Sequence, residues 1–318
     1  MTGVFTRQDF IMNTTVEQRL DGDDAEAIAA EAVVRLRRLE GLMSFFLADS
    51  DVSRLNQNPG TTIAIQPETA QVLSGARTYA ELSESAFDVT AAPVVDLWRT
   101  HGRRQVIPSQ AEIEDKLALV GYEHLSVSDQ TAALAEPGCA VDLGGIAKGF
   151  AADVCIGFYR DHGVESGFIN LGGNVRTIGT NANRKDWRIG LQHPDQPRGA
   201  LFGAVVAPDQ AIVTSGGYER GFTVGDHHYH HIIDPRTGWP ANSGLTSVTA
   251  ICENSMAADA LATAGYVLGL DDGLALIRSQ SAQAVFVTTD KDVYITSGLR
   301  DNFILANQVG FNCYLTQG

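Results

Sequence analysis

The sequence predicts an α+β fold, with mixed sheets and helices packed on them, and three observations carry that prediction. Four stretches place apolar residues three and four apart, the spacing of one helical face. Eight shorter runs are β-type, and they do not alternate with the helices as strict βαβ units. Of the 318 residues, 44% are hydrophobic and 19% charged, which is enough apolar matter to bury a substantial core.

Residues 8–20 alternate as a strand does. Asp23 and Asp24 then cap a helix on which Ile28, Ala32, Leu36, Leu39, Met43 and Phe46 share a face. A polar loop over 49–60 leads to a second helix, which starts at Pro67 and runs through Val72, Ala76 and Tyr79. Val141-Asp142-Leu143 reads as a strand end that enters Gly144-Gly145. A third helix follows, with Ile146, Phe150, Val154 and Phe158 on one face and Gly163 closing it. Short β-type runs come next at 167–171, 187–191, 201–207, 211–214 and 229–233. The fourth helix, 255–268, is alanine-rich and capped by Ser255, and strands at 284–288 and 293–296 complete the fold. No repeat, low-complexity tract or linker interrupts the chain, so residues 1–318 read as a single domain.

A formal net charge of -15 repels polyphosphate backbones and excludes the basic footprint that nucleic-acid binding needs. Cys139, Cys155, Cys252 and Cys313 form no CxxC pair, so neither a zinc knuckle nor a disulfide framework is indicated, and small buried hydrophobes are the plainer reading. No run approaches the roughly 20 apolar residues that span a bilayer. Residues 1–10 carry no signal-peptide pattern. The expected compartment is the cytoplasm, or the periplasm as an exported lipoprotein if a leader has been removed.

Three segments carry possible chemistry. Asp142-Leu143-Gly144-Gly145-Ile146-Ala147-Lys148-Gly149 is a strand–glycine–helix junction. It offers unpaired helix N–H groups, a positive dipole end and a mobile cation, the parts of a phosphate site, and it also reads as a plain tight turn. Asp259 and Thr263, four apart on a helix, project two oxygens from one face. Such a pair suits a hard cation such as Mg²⁺, and it equally describes an exposed acid beside a core threonine. In His227-His228-Tyr229-His230-His231 the alternation of a strand lets two or three rings converge at most. One at the strand end, before the turn Asp234-Pro235-Arg236-Thr237-Gly238, is placed as a general base. Neither G-x-S-x-G nor H-E-x-x-H is present.

Read in order, several segments resemble the ApbE family, the FAD:protein FMN transferases, from about Phe10 to about Gly269. They are Met12-Asn13-Thr14, Met43-Ser44-Phe45-Phe46 with Asp49 to Asn56, Ala86-Phe87-Asp88-Val89-Thr90, Val141 to Gly149, Thr214-Ser215-Gly216 with Tyr218, His231 to Gly238, and Ala258 to Ala264. The resemblance implies an ApbE-like, T-fold-like architecture and a pocket that holds FAD with Mg²⁺ on its diphosphate. It implies side-chain metal ligands in Asp259 and Thr263, and a main-chain ligand at Gly145. It places FAD contacts at Met12, Phe46, Ala86, Phe87, Asp88, Asp142, Lys148 and Ile233, and the base at His231. Phe46 departs from the pattern, because many relatives carry Tyr there. The implied reaction moves FMN from FAD to a threonine hydroxyl on an acceptor, a flavoprotein subunit of a redox complex, and releases AMP. Water in place of the acceptor gives an FAD pyrophosphatase. A flavin-storage protein would keep the FAD contacts without needing Asp259, Thr263 or His231.

Overall fold

The computed structural model describes residues 4–181, 185–306 and 310–316. The stretch expected as one strand is a hairpin, β1 (Val4–Ile11) and β2 (Thr14–Asp21), paired antiparallel from Val4–Asp21 to Ile11–Thr14. Its two-residue turn puts Met12 at φ 54° and Asn13 at φ 57°. That turn matches the twist of the strands, but it strains a methionine, since left-handed backbone is rare without glycine or asparagine. The Met12 N–H donates to Glu40 Oε1 at 2.7 Å, which holds the tip.

Helix α1 (Ala25–Met43) buries the expected face from Ile28 to Met43 but stops before Phe46, because Ser44 turns extended at ψ 129°. The expected loop contains a short helix, α2 (Asp51–Gln57), whose cap Ser50 accepts from Ser53 N at 2.9 Å. The chain continues through β3 (Ile63–Ala64), α3 (Pro67–Leu82), α4 (Ala92–Gly102), α5 (Gln110–Leu117), β4 (Leu125–Ser128) and β5 (Thr131–Leu134). Then come α6 (Ala147–Asp161), β6 (Ser166–Leu171), β7 (Asn174–Ile178), β8 (Arg188–Gln192), β9 (Leu201–Val206) and β10 (Ala211–Gly216). A hairpin of β11 (Gly221–Val224) and β12 (His227–His230) precedes β13 (Leu245–Cys252), α7 (Ser255–Leu268) and α8 (Leu270–Ser279). Strands β14 (Gln283–Thr288), β15 (Asp292–Ile295), β16 (Phe303–Leu305) and β17 (Asn312–Leu315) end the described chain.

A nine-stranded sheet runs β1-β2-β6-β7-β10-β13-β14-β15-β17, antiparallel throughout except for the parallel β15–β17 pair. Both faces of its middle are buried. On β14, Ala284 and Phe286 join the core under the helices, while Val285 and Val287 join a second core under the small β16-β9-β8 sheet. Side chains alternate across a strand, so a continuous apolar run on β14 supplies both layers. A third cluster forms where Val94 and Trp98 of α4 meet Ile113 of α5 and Ile233. Trp98 stacks on Tyr229 of the β11–β12 hairpin at 5.5 Å and donates from Nε1 to the Gly238 carbonyl at 2.8 Å. Aromatic contacts of this kind contribute about 0.5–1.5 kcal/mol each beyond burial, so α4 anchors the hairpin that leads to His231.

Helices α6 and α7 cap each other. Asp259 of α7 accepts the Gly149 N–H of α6 at 3.0 Å, and Asp153 of α6 accepts the Ser255 and Met256 N–H groups of α7, each at 2.9 Å. Each carboxylate satisfies helix N–H groups that have no partner within their own helix. The side-chain cap of α7 is Asn254, which accepts from Ala257 N at 2.7 Å; the expected cap, Ser255, instead donates to Asn174 Oδ1 at 2.6 Å. The close approach requires Gly149, since a Cβ there would lie 2.2 Å from the Ser255 carbonyl oxygen.

Candidate active site

The α6 N terminus is the centre of the site. Asp142 Oδ1 accepts from Gly144 N at 2.9 Å and shapes the glycine turn into the helix. In the first turn of α6, Lys148 reaches back to donate to the Gly144 carbonyl at 2.7 Å, with its ammonium 3.4 Å from Asp259 Oδ2. The Gly149 N–H goes to Asp259 rather than to the Gly145 carbonyl, and no hydrogen bond to that carbonyl is found among the described residues.

Asp259 is only 3% exposed, so its charge sits in a dry setting facing Lys148 and the helix start. Thr263 Oγ1 lies 3.2 Å from the Asp259 carbonyl oxygen and 3.0 Å from Ser215 Oγ on β10. A Cβ on Gly145 would stand 3.7 Å from Thr263 Oγ1 and 3.1 Å from the Phe87 ring. The structure therefore brings Gly145, Asp259 and Thr263 together. Two side-chain oxygens and an unclaimed carbonyl are hard donors, and they fit Mg²⁺, which takes such ligands alongside several waters.

Around this centre the other expected residues take distinct places. Ala86 and Phe87 are buried, and the Phe87 N–H donates to Ser83 Oγ at 3.0 Å. Asp88 is buried as well, and its Oδ1 accepts from the Thr90 N–H at 2.8 Å and hydroxyl at 2.7 Å. Its Oδ2 finds no well-formed hydrogen bond among the described residues, and burial pushes the carboxyl pKa up from its ordinary value. Phe46 is 64% exposed, and the Arg99 guanidinium stands 4.8 Å from its ring centre and 4.6 Å from that of Phe45. Arg99 also comes within 4.0 Å of Asp142, linking the aromatic pair to the glycine turn. Beside Phe45 lies a cavity of about 280 Å³, whose walls include Pro93, Asp96, Thr100, Lys116 and Ala140. Met12 sits at the hairpin tip, and no hydrogen bond or ion pair ties it to the Asp259 centre among the described residues. The Ile233 side chain is packed in the α4–α5 cluster, and the residue bridges to Pro240.

The histidine run separates by role. His230 Nδ1 accepts from the Ile232 N–H at 3.3 Å and Nε2 lies 2.9 Å from the Ala241 carbonyl, so that ring is structural. His227 and His228 are exposed. His231, just past β12, places Nδ1 3.1 Å from the Arg220 carbonyl, so Nδ1 carries the proton and Nε2 is left as the acceptor. The residue keeps an open surface, while crowding by surrounding protein atoms lowers the ring's pKa to about 4, with the charges of Arg220 and Lys148 adding to the effect. No hydrogen bond or ion pair joins His231 to Lys148 or Asp259 among the described residues; its Nδ1 and N–H are both held by the Arg220 carbonyl.

The ApbE family pattern matches this chain over residues 12–286. The chain belongs to the ApbE family. An FAD:protein FMN transferase of Klebsiella pneumoniae is 34% identical over 304 residues, covering 94% of each chain. One of Vibrio cholerae is 32% identical over 272 residues, covering 85% of this chain and 81% of that one. Among solved structures, an ApbE protein of Thermotoga maritima superposes with a TM-score of 0.88 at 30% identity, covering 94% of this chain and 99% of that one. The flavin transferase ApbE of Vibrio cholerae superposes at 0.85 with 30% identity, covering 95% and 100%. The α+β architecture is that of the ApbE structures.

Within this candidate site, sequence reasoning passed over Arg99, Ser215 and the Gly149 N–H. Arg99 lies on a helix that this reasoning did not include. Ser215 stood in the quoted Thr214-Ser215-Gly216 motif with no role attached, although its place on a strand ending in glycine was a usable signal.

Proposed function

We propose that this chain is a Mg²⁺-dependent FAD:protein FMN transferase, which moves FMN from FAD to a threonine hydroxyl of an acceptor protein and releases AMP. The observation that carries it is the convergence of the α6 N terminus, Lys148, Asp259, Thr263 and the free Gly145 carbonyl on one point. Phosphoryl transfer is catalysed chiefly by placing positive charge around the transferred group, and this cluster supplies it. Gly145, Asp259 and Thr263 would hold Mg²⁺, which when bound adds Lewis-acid charge on the diphosphate oxygens.

Lys148 is an internal counter-ion to Asp259 in the free protein and turns to the diphosphate when FAD is present. The N–H groups at the α6 start face the same oxygens. His231 Nε2 takes the proton from the acceptor hydroxyl as its oxygen forms the new P–O bond. The bond to the AMP oxygen breaks and AMP departs. Because His231 has an open surface, an acceptor loop can reach it. Phe46, Ala86, Phe87, Asp88, Met12 and the main chain at Ile233 complete the flavin nucleotide's contacts in this reading. We take the acceptor to be a flavoprotein subunit of a redox complex that carries its threonine in a short recognition motif.

The test is incubation with FAD, Mg²⁺ and a threonine-bearing acceptor. Flavin fluorescence on the acceptor in a denaturing gel, matched by equimolar AMP, is the expected result. Free FMN with an unlabelled acceptor would replace transfer by hydrolysis, and intact FAD would overturn the catalytic reading.

A further inference from the structure

Away from the Asp259 centre, a second group of donors meets where cysteine spacing gave no sign of one. His124, Glu136 and Cys139 bring one ligand atom each to within 4.8 Å of the others. We propose that these three residues form a site for a borderline divalent cation such as Zn²⁺, with water in the fourth position.

Backbone bonding fixes the three positions. His124 directly precedes β4, and its carbonyl accepts from Ala135 N at 2.8 Å, which extends the β4–β5 ladder by one step. Glu136 and Cys139 are the first and last residues of the turn Glu136-Pro137-Gly138-Cys139, closed by Cys139 N donating to the Glu136 carbonyl at 3.2 Å. Pro137 presets the first central position, and Gly138 takes φ +97° at the second, the requirements of a type II turn. The ladder therefore sets one side of the site and a rigid turn the other. Gly121 leaves room for the imidazole, since a Cβ there would lie 3.2 Å from His124 Cδ2.

The donor chemistry is selective. Sulfur, imidazole nitrogen and a carboxylate oxygen suit Zn²⁺, whereas the oxygen-only set at Asp259 suits Mg²⁺, so the two cations are kept apart. Bonds of about 2.0–2.3 Å to Zn²⁺ imply ligand separations of roughly 3.3–3.8 Å, so closure needs movements of about 1 Å. The His124 ring and the Glu136 carboxylate make no other hydrogen bond or ion pair among the described residues and are free to move that far. Cys139 is 1% exposed while Glu136 is exposed, so the thiol is the inner ligand and an ion enters past the carboxylate. Three protein ligands with one open position is the arrangement of an accessible zinc site rather than of a closed structural one.

The test is titration of metal-free protein with Co²⁺ under saturating Mg²⁺, read by visible absorption and reversed with Zn²⁺. One equivalent of tetrahedral Co²⁺ with a thiolate charge-transfer band is expected in the wild type, in Cys252→Ser and in Cys313→Ser. Cys139→Ser should lose the charge-transfer band, and His124→Ala and Glu136→Gln should each weaken binding about tenfold or more. The latter two lie at the rim and carry the test if the buried cysteine variant does not fold. A wild type without the band, a band that survives Cys139→Ser, or unchanged affinity in both rim variants would overturn the site.

Discussion

At Asp259 one carboxylate both accepts the Gly149 N–H and faces the Lys148 ammonium, so its replacements have separable consequences. Asp259→Asn keeps an acceptor for the helix start but removes the charge. It is expected to abolish Mg²⁺-dependent turnover with little change in melting temperature. Asp259→Ala removes both and should also destabilise the fold by about 0.5–2 kcal/mol, the range for a lost helix cap. Turnover that persists in both variants would take the metal reading away from this residue. At His231 the neutral ring is the working form. A pKa lowered to about 4 keeps it neutral at ordinary pH, so kcat/KM should stay level on acidification until the pH nears that value. His231→Gln should reduce kcat by about 100- to 10,000-fold and leave FAD affinity, read by flavin fluorescence, near that of the wild type. Stability follows the same sign. Below the ordinary value of 6.5 the unfolded chain binds more protons at this residue than the folded one, so stability falls between 6.5 and about 4. The open surface of His231 keeps that loss small.

At the scale of elements, the site depends on how α6 and α7 meet, and Gly149 tests that contact. Gly149→Ala drives a methyl group against the Ser255 carbonyl, where the backbone has no room to yield. A destabilisation of about 1–3 kcal/mol is expected in chemical denaturation, together with weaker Mg²⁺ binding by calorimetry as Asp259 is moved off the α6 start. A variant with wild-type stability and metal affinity would show that the helices tolerate separation. The four longer helices were legible because apolar spacing over several turns leaves a clear record, and Asp259 with Thr263 could be placed on one face for the same reason. The hairpin at Met12-Asn13 was not legible, because strand alternation runs unbroken through a two-residue reversal and methionine is not a turn residue. Helix α2 is only seven residues, and α8 carries Gly273 in its middle where it crosses Gly265, so neither leaves a long periodic trace. Helix α4 does carry a local signal, Pro93 in its first turn and Val94 with Trp98 on its buried face, but over only eleven residues, and Arg99 was not foreseen because that short pattern went unread. The capping of each helix by a carboxylate of the other is non-local altogether. Sequence shows Asp153 and Asp259 as two acids, and only the packing shows that they exchange roles.

For the whole molecule, the net charge of -15 and the buried Asp259 carboxylate make this an unfavourable host for a dinucleotide diphosphate. Lys148 offsets one charge at the site, and the helix N terminus contributes roughly half a unit more. That small surplus falls short of the negative charge a diphosphate brings, and a divalent cation would make up the difference, so FAD and Mg²⁺ should bind as a linked pair. Linkage requires the factor by which Mg²⁺ tightens FAD to equal the factor by which FAD tightens Mg²⁺, with about 5- to 150-fold being the usual range for coupled sites. Flavin fluorescence with and without Mg²⁺ gives one factor, and calorimetry of Mg²⁺ with and without FAD gives the other. Asp259→Asn is expected to bring both close to one, because the cation then has no anionic protein ligand to bridge to the diphosphate. Independent binding of the two ligands in the unaltered protein would mean that the cation sits elsewhere. The α6 turn and the α7 carboxylate would then be neighbours for the sake of the fold alone.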